Sequence, residues 1–339
     1  MRFHDLFGKL VAGVFCSFLF FFFVVNSADA QTNALRINTT PKHPGPFESV
    51  IVDVEDFSID LNKVEIAWTV DGKVMQRGVG IKRLQFTTGA LGTVSNISIN
   101  MGGDVRQMVI RPTVTDLQWQ ADTHTPPFYK GKALHSNQDP ITVVAEPFFI
   151  NSQGVRLDPT KLIYKWKQNE KLDNNASGYG KKTFRVIPSV LMKPIQVEVE
   201  VTTPDNTYHS LSSINISDTK TEVLLYENHP LYGITFEKAL NGKEFSISGQ
   251  EIRVIGMPLF FSNEQKRIDQ LAFDWKLNDS KTNQPGNEII FRKPEGSSGG
   301  RSLVGLGVKN PTRFAQSSNS SFYITFQDAG TSPAGQTVF

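Results

Sequence analysis

This sequence predicts an all-β protein, three tandem β-sandwiches behind an N-terminal export signal, and three observations predict it. The first is a repeated tryptophan setting: Ile66-Ala67-Trp68-Thr69-Val70-Asp71, Tyr164-Lys165-Trp166-Lys167-Gln168-Asn169 and Phe273-Asp274-Trp275-Lys276-Leu277-Asn278. Each has an apolar residue two before the Trp and a turn-forming Asp or Asn three after it. A Phe on a second apolar stretch follows each one, at Phe86, Phe184 and Phe291. Recurrence at about a hundred residues is what repeated domains leave in a chain. The second observation is alternation. Val50 to Val54, Val64 to Val70 and Ile195 to Val201 place apolar residues at every second position, the period of a half-buried strand. The third is punctuation by turn residues at Asp71-Gly72, Asn151 to Gly154, Pro204 to Asn206, Asn241-Gly242 and Pro285 to Asn287. No stretch carries a long helical period; Asp158 to Leu162 and Glu264 to Gln270 read as single helical turns.

In chain order, residues 1–30 read as a signal peptide. Arg2 and Lys9 make a basic start, Leu10 to Val25 is apolar, and Ala28 and Ala30 set the small-residue pattern for cleavage after Ala30. Retained, the segment would be a membrane anchor, but the run is short of the roughly 20 apolar residues a span needs. Either outcome places the rest outside the cytoplasm, secreted or on the cell surface. Cys16 is the only cysteine and lies in this run. Phe15 precedes it where lipid attachment needs a small residue, so the mature chain carries neither a lipid anchor nor a disulfide. Its stability must come from apolar cores.

After the signal the chain is too long for a single core. Laying the tryptophan settings over one another gives domain boundaries at 34–112, 113–218 and 219–327, with a flexible tail over 328–339. Ahead of each Trp an alternating run ends in aromatics: Val52 to Phe57, Val143 to Phe149 and Val254 to Phe261. Trp68, Trp166 and Trp275, with Phe86, Phe184 and Phe291, share the inward side of their strands and are the expected core. Leu117 to Leu134 resembles Leu224 to Leu240, so Trp119 opens the second module and is not a core tryptophan of that type.

The pattern resembles bacterial secreted and surface proteins built from tandem immunoglobulin-like, or PKD-like, β-sandwich domains. In those, a Trp on a central strand packs across two sheets, the place Trp68, Trp166 and Trp275 would take. The disulfide of antibody domains is missing here. What the resemblance implies is adhesion, spacing or envelope assembly.

Candidate sites are few. Trp119, flanked by Gln118 and Gln120 and followed by Phe128 and Tyr129, is the candidate binding surface, since an exposed aromatic face can stack on a sugar. Asp53, Glu55, Asp56 and Asp60 gather hard oxygen donors that can bind calcium, with Asp56 and Asp60 as first ligands, although Asp53 and Glu55 lie on the solvent face of an alternating strand, where acids are ordinary. No D-x-D-x-D-G loop is present, and no cofactor is required. His43, His124 and His229 each open a module beside a Pro and an aromatic; lying a domain length apart, they read as bends in the chain. No catalytic residues are assigned: there is no nucleophilic Cys in the mature chain, no H-E-x-x-H, no G-x-S-x-G and no P-loop. Ser297 to Gly300 reads as a hairpin loop. With 35 basic against 33 acidic residues the net charge is +2, which argues against broad nucleic-acid binding. The sequence thus points to a non-catalytic rod of modules whose partners are other envelope proteins or, as an alternative, surface glycans bound through Trp119, Phe128 and Tyr129.

Overall fold

Where every second side chain is apolar the chain runs as a strand, and alternation accounts for most of the secondary structure. The computed structural model describes residues 35–127, 129–188, 194–247, 249–263, 268–293, 295 and 299–326. The export signal over 1–30, Phe128 and the tail over 328–339 lie outside the described residues.

The first seven strands are β1 (Leu35–Thr40), β2 (Ser49–Asp56), β3 (Glu65–Val70), β4 (Lys73–Val79), β5 (Arg83–Thr87), β6 (Ser95–Met101) and β7 (Asp104–Ile110). They form one sheet in the order β1-β2-β5 and another in the order β4-β3-β6-β7. The next seven repeat the plan: β8 (Val114–Ala121), β9 (Ile141–Phe148), β10 (Ile163–Gln168), β11 (Lys171–Tyr179), β12 (Thr183–Val186), β13 (Ile195–Thr202) and β14 (His209–Ile216). Their sheets run β12-β9-β8 and β11-β10-β13-β14. The last group is larger: β15 (Glu222–His229), β16 (Gly233–Ile234), β17 (Glu244–Ile247), β18 (Glu251–Leu259), β19 (Ala272–Leu277), β20 (Ser280–Lys281), β21 (Glu288–Arg292), β22 (Gly300–Lys309) and β23 (Ser317–Phe326). Here the orders are β16-β15-β18-β21 and β17-β23-β22-β19-β20, with β17 and β23 parallel.

Two compact units divide the chain. The smaller runs to Thr40 and takes in Ile51–Gln85 and Ile97–Met108; the larger takes in Pro41–Val50, Phe86–Asn96 and the chain from Val109 onward. In the smaller unit, Val52, Val54 and Leu84 of one sheet and Ile66, Trp68, Ile97 and Ile99 of the other are buried. The larger unit holds two cores. One joins Val143, Ala145 and Phe184 to Trp166, Val197 and Val199 from the facing sheet. The other joins Leu225, Val254 and Phe291 to Trp275, Leu306 and Phe322. Side chains of two sheets meeting in one core define a β-sandwich.

The tryptophans show why the plan repeats. Trp68, Trp166 and Trp275 are all fully buried, and a buried indole needs a partner for its N–H. Each donates to a main-chain carbonyl: Ile81 at 2.7 Å, Lys181 at 2.8 Å and Gly286 at 3.0 Å. A single 3-10 turn precedes each Trp strand, at Leu61–Lys63, Pro159–Lys161 and Ile268–Gln270. Asp60 and Asp158 cap the first two by accepting from the main-chain N–H groups of Asn62 and Thr160. Beyond each Trp strand lies a two-residue turn with both φ angles positive: Asp71 and Gly72, Asn169 and Glu170, Asn278 and Asp279. Such turns match the twist of the strands they join.

Within the larger unit, the second and third sandwiches are bonded together. His124 N–H donates to the Phe261 carbonyl at 2.7 Å, and Phe260 N–H donates back to the His124 carbonyl at 2.8 Å. Beneath them Gln316, 1% exposed, extends its amide nitrogen to Ser136 Oγ (3.1 Å), the Asn137 carbonyl (2.9 Å) and Asp139 Oδ2 (2.8 Å). Its amide oxygen accepts from Ser262 N–H at 3.0 Å and Asn310 Nδ2 at 2.9 Å. Ser136 Oγ lies 2.6 Å from the Phe260 carbonyl. Burial pushes the Asp139 carboxyl up to about 6, against the opposing pull of its hydrogen bonds from Ser136 and Gln316.

Candidate functional site

Among the described residues, three places that collect chemistry-bearing side chains bear on function. The first surrounds Trp119 on β8. Strand alternation turns Gln118 and Gln120 outward and Trp119 toward the core of the second sandwich, against which it is partly buried. The Lys132 ammonium lies 3.6 Å from the center of its ring, a cation–π contact. A concavity of about 420 Å³ opens beside it, lined by Gln118, Gln120, Asp122, Thr142 and Arg185 among others. Tyr129, 39% exposed, packs edge-on against Phe260 at 5.9 Å, so the ring neighbors of Trp119 and Tyr129 differ. Phe128 lies outside the described residues.

The second place is the acidic group in the smaller unit. Asp56 and Asp60 border one concavity with Asp53 and Glu55. Their oxygens already serve the local chain. Asp56 Oδ1 accepts from Ser58 N–H at 2.7 Å and Ser58 Oγ at 2.6 Å, and Asp60 Oδ1 accepts from Asn62 N–H at 3.1 Å and Asn62 Nδ2 at 2.9 Å. These bonds hold both carboxyls below the usual carboxylate range. Lys63 stands 3.4 Å from Asp60, and Arg83 pairs with Asp53 at 2.6 Å. The acids are arranged as turn and cap formers with cationic neighbors.

The third place lies wholly in the larger unit and joins residues far apart in the chain. His43, in the Pro-rich bend before β2, stacks on His209 at the start of β14, with ring centers 5.0 Å apart and planes 9° from parallel. Glu200 of β13 faces them, its Oε1 3.9 Å from His209 Nδ1. Thr113 ties the bend after His43 to the His209 main chain: its N–H donates to the Pro44 carbonyl at 3.1 Å and its hydroxyl donates to the His209 carbonyl. Thr88 Oγ donates to the Gly45 carbonyl at 2.8 Å and steadies the same bend. Burial, then the His209 ring and Lys42, lowers the His43 pKa, which favors the neutral imidazole. His124 and His229 have other neighbors. His124 pairs through its main chain with Phe260 and Phe261, and His229 Nδ1 accepts from Leu231 N–H (3.2 Å) while its ring stacks on Tyr232. Sequence reasoning treats His43 as a bend and places Glu200 only within the alternating run Ile195 to Val201; no local signal links His43 to His209.

No family model matches the chain, and no curated protein matches it. Among solved structures, the chain is similar to the three N-terminal domains of the highly immunogenic outer capsid protein of bacteriophage RB49, at 9% identity, covering 87% of this chain and 98% of that one, with a TM-score of 0.26. The central fibronectin-III array of RIM-binding protein gives 11% identity, 87% and 96% coverage and a TM-score of 0.29. The fibronectin(III)-like modules of Clostridium thermocellum CbhA give 8%, 55% and 94%, and 0.25. Among the described residues, no helix is long and apolar enough to cross a membrane.

Proposed function

We propose that this protein is a non-catalytic scaffold, secreted or held at the cell surface, whose immunoglobulin-like sandwiches space and present binding edges to other envelope proteins. The observation that carries this reading is the buried junction around Gln316 and Asp139, which ties the second sandwich to the third through side chains and main chain alike. A fixed joint suits a spacer, which must hold its modules at a set angle. Edge strands supply the binding surface. Strands β4 and β7 flank their sheet and expose Val74, Met75, Val79, Val105 and Val109, and an extended partner segment can add to such an edge through main-chain bonds. Crosslinking in intact source cells, followed by mass spectrometry, tests this. Protein partners joined through β4 or β7 are the expected capture; a catch of glycan alone would sink it.

A second reading, glycan binding, is favored by the concavity beside Trp119, where an indole meets two glutamines, Asp122 and Arg185. Envelope polysaccharide retained on immobilized protein, and released by Trp119→Ala with the fold intact, is the result that would select it.

A further inference from the structure

We propose that His43, Glu200 and His209 form a binding site for a divalent transition metal ion, with zinc the best match. One ligand atom from each residue already lies within 4.8 Å of the other two, and among the described residues this is the group of three metal-binding side chains that meets so closely. The donor set is two imidazole nitrogens and one carboxylate oxygen, a combination that suits zinc and its neighbors and not calcium or magnesium, which take oxygen ligands. Three protein ligands leave a fourth, tetrahedral position for water.

His209 Nδ1 is the second, independent observation. This atom is buried and has no hydrogen-bond partner among the described residues, although Glu200 Oε1 stands 3.9 Å away. Burying a ring nitrogen without a partner is costly. A cation seated between Nδ1 and Oε1 would satisfy both atoms. Ligands at about 2.0 to 2.2 Å from a tetrahedral ion are about 3.3 Å apart, so the side chains must close inward by about 1.5 Å. All three are intermediate in burial, and Thr113 holds the main chain of the bend and of His209 in place. Closing would unstack the imidazoles. Lys165, now 3.4 Å from Glu200 Oε2 and 54% exposed, would give up that contact to the ion. The ion would tie the bend over residues 41–47 to strands β13 and β14.

Titration calorimetry of the full chain, stripped with chelator, provides the test, with zinc as the probe and cobalt as its spectroscopic substitute. One equivalent of zinc should bind, cobalt should give the visible absorption bands of a tetrahedral complex, and the melting temperature should rise with zinc. His43→Ala, Glu200→Gln and His209→Ala should each weaken zinc binding by roughly tenfold or more, while His124→Ala and His229→Ala leave it unchanged. Zinc binding that survives the His43→Ala and Glu200→Gln double variant, or a wild-type chain that binds no zinc and shows no tetrahedral cobalt bands, overturns the proposal. The cobalt spectrum is read on unmutated protein, so a variant that fails to fold does not decide the matter.

Discussion

Each Trp in a sandwich core does two things at once: it fills the space between sheets and it answers a carbonyl. Trp166 is fully buried against Phe184, ring centers 5.5 Å apart, and its N–H reaches the Lys181 carbonyl. Trp166→Ala should therefore cost about 3 to 5 kcal/mol in urea unfolding, from lost burial and the cavity left behind. Trp166→Phe keeps a ring but strands the Lys181 carbonyl, and about 2 kcal/mol is expected. Asp139 makes a different prediction. Its carboxyl is raised from the ordinary 3.8 to about 6, so the folded chain binds a proton that the unfolded chain releases. Stability from this group is present below pH 4 and lost as pH rises to 6, by about 2 to 3 kcal/mol. Asp139→Asn removes the dependence. Measured against wild type, the variant should gain that amount between pH 4 and pH 7, and a constant difference would refute the assignment.

Turns and caps decide how strands become hairpins. Asn169 and Glu170 sit at φ 47° and 66° between β10 and β11, a left-handed conformation that costs an L residue energy and glycine none. Glu170→Gly should raise stability by about 0.5 to 1 kcal/mol, read as a higher urea midpoint at constant slope. Asp71-Gly72 already has glycine at the matching position, and serves as the internal comparison. Much at this scale is legible in sequence, because a strand, a capped 3-10 turn and a two-residue turn each draw on a few neighboring residues. The single turn at Pro159–Lys161, inside the stretch Asp158 to Leu162, is of this kind. The contact of Lys132 with Trp119 is not, since the rotation of an aromatic ring toward a loop leaves no mark on strand alternation.

Across the whole molecule the telling feature is the buried polar joint in the larger unit. Gln316 meets Asp139 across 177 residues of chain, and its removal takes the acceptor from Asn310 Nδ2 and the Ser262 N–H and a donor from Asp139 Oδ2. Gln316→Ala should lower stability by about 2 to 4 kcal/mol. Hydrogen exchange should speed up most at His124, Phe260 and Asn263, whose amides bond across the joint, while the amides of β13 hold their protection. Uniform loss of protection would mean that Gln316 supports one sandwich only and is no joint.

By itself the sequence determined an all-β chain of repeated sandwiches. Alternation sets which residues form strands, and Asp, Asn and Gly set where strands turn; both are local forces that act within a few bonds of the backbone. Tertiary structure alone decided the polar meeting points. His43 joins the β13–β14 hairpin that carries Glu200 and His209, and Asp139 joins Gln316, because folding brings distant stretches of chain together and burial then forces their polar atoms to find one another. Such pairings depend on the geometry of two sheets and leave no periodic trace in either partner's own stretch of chain.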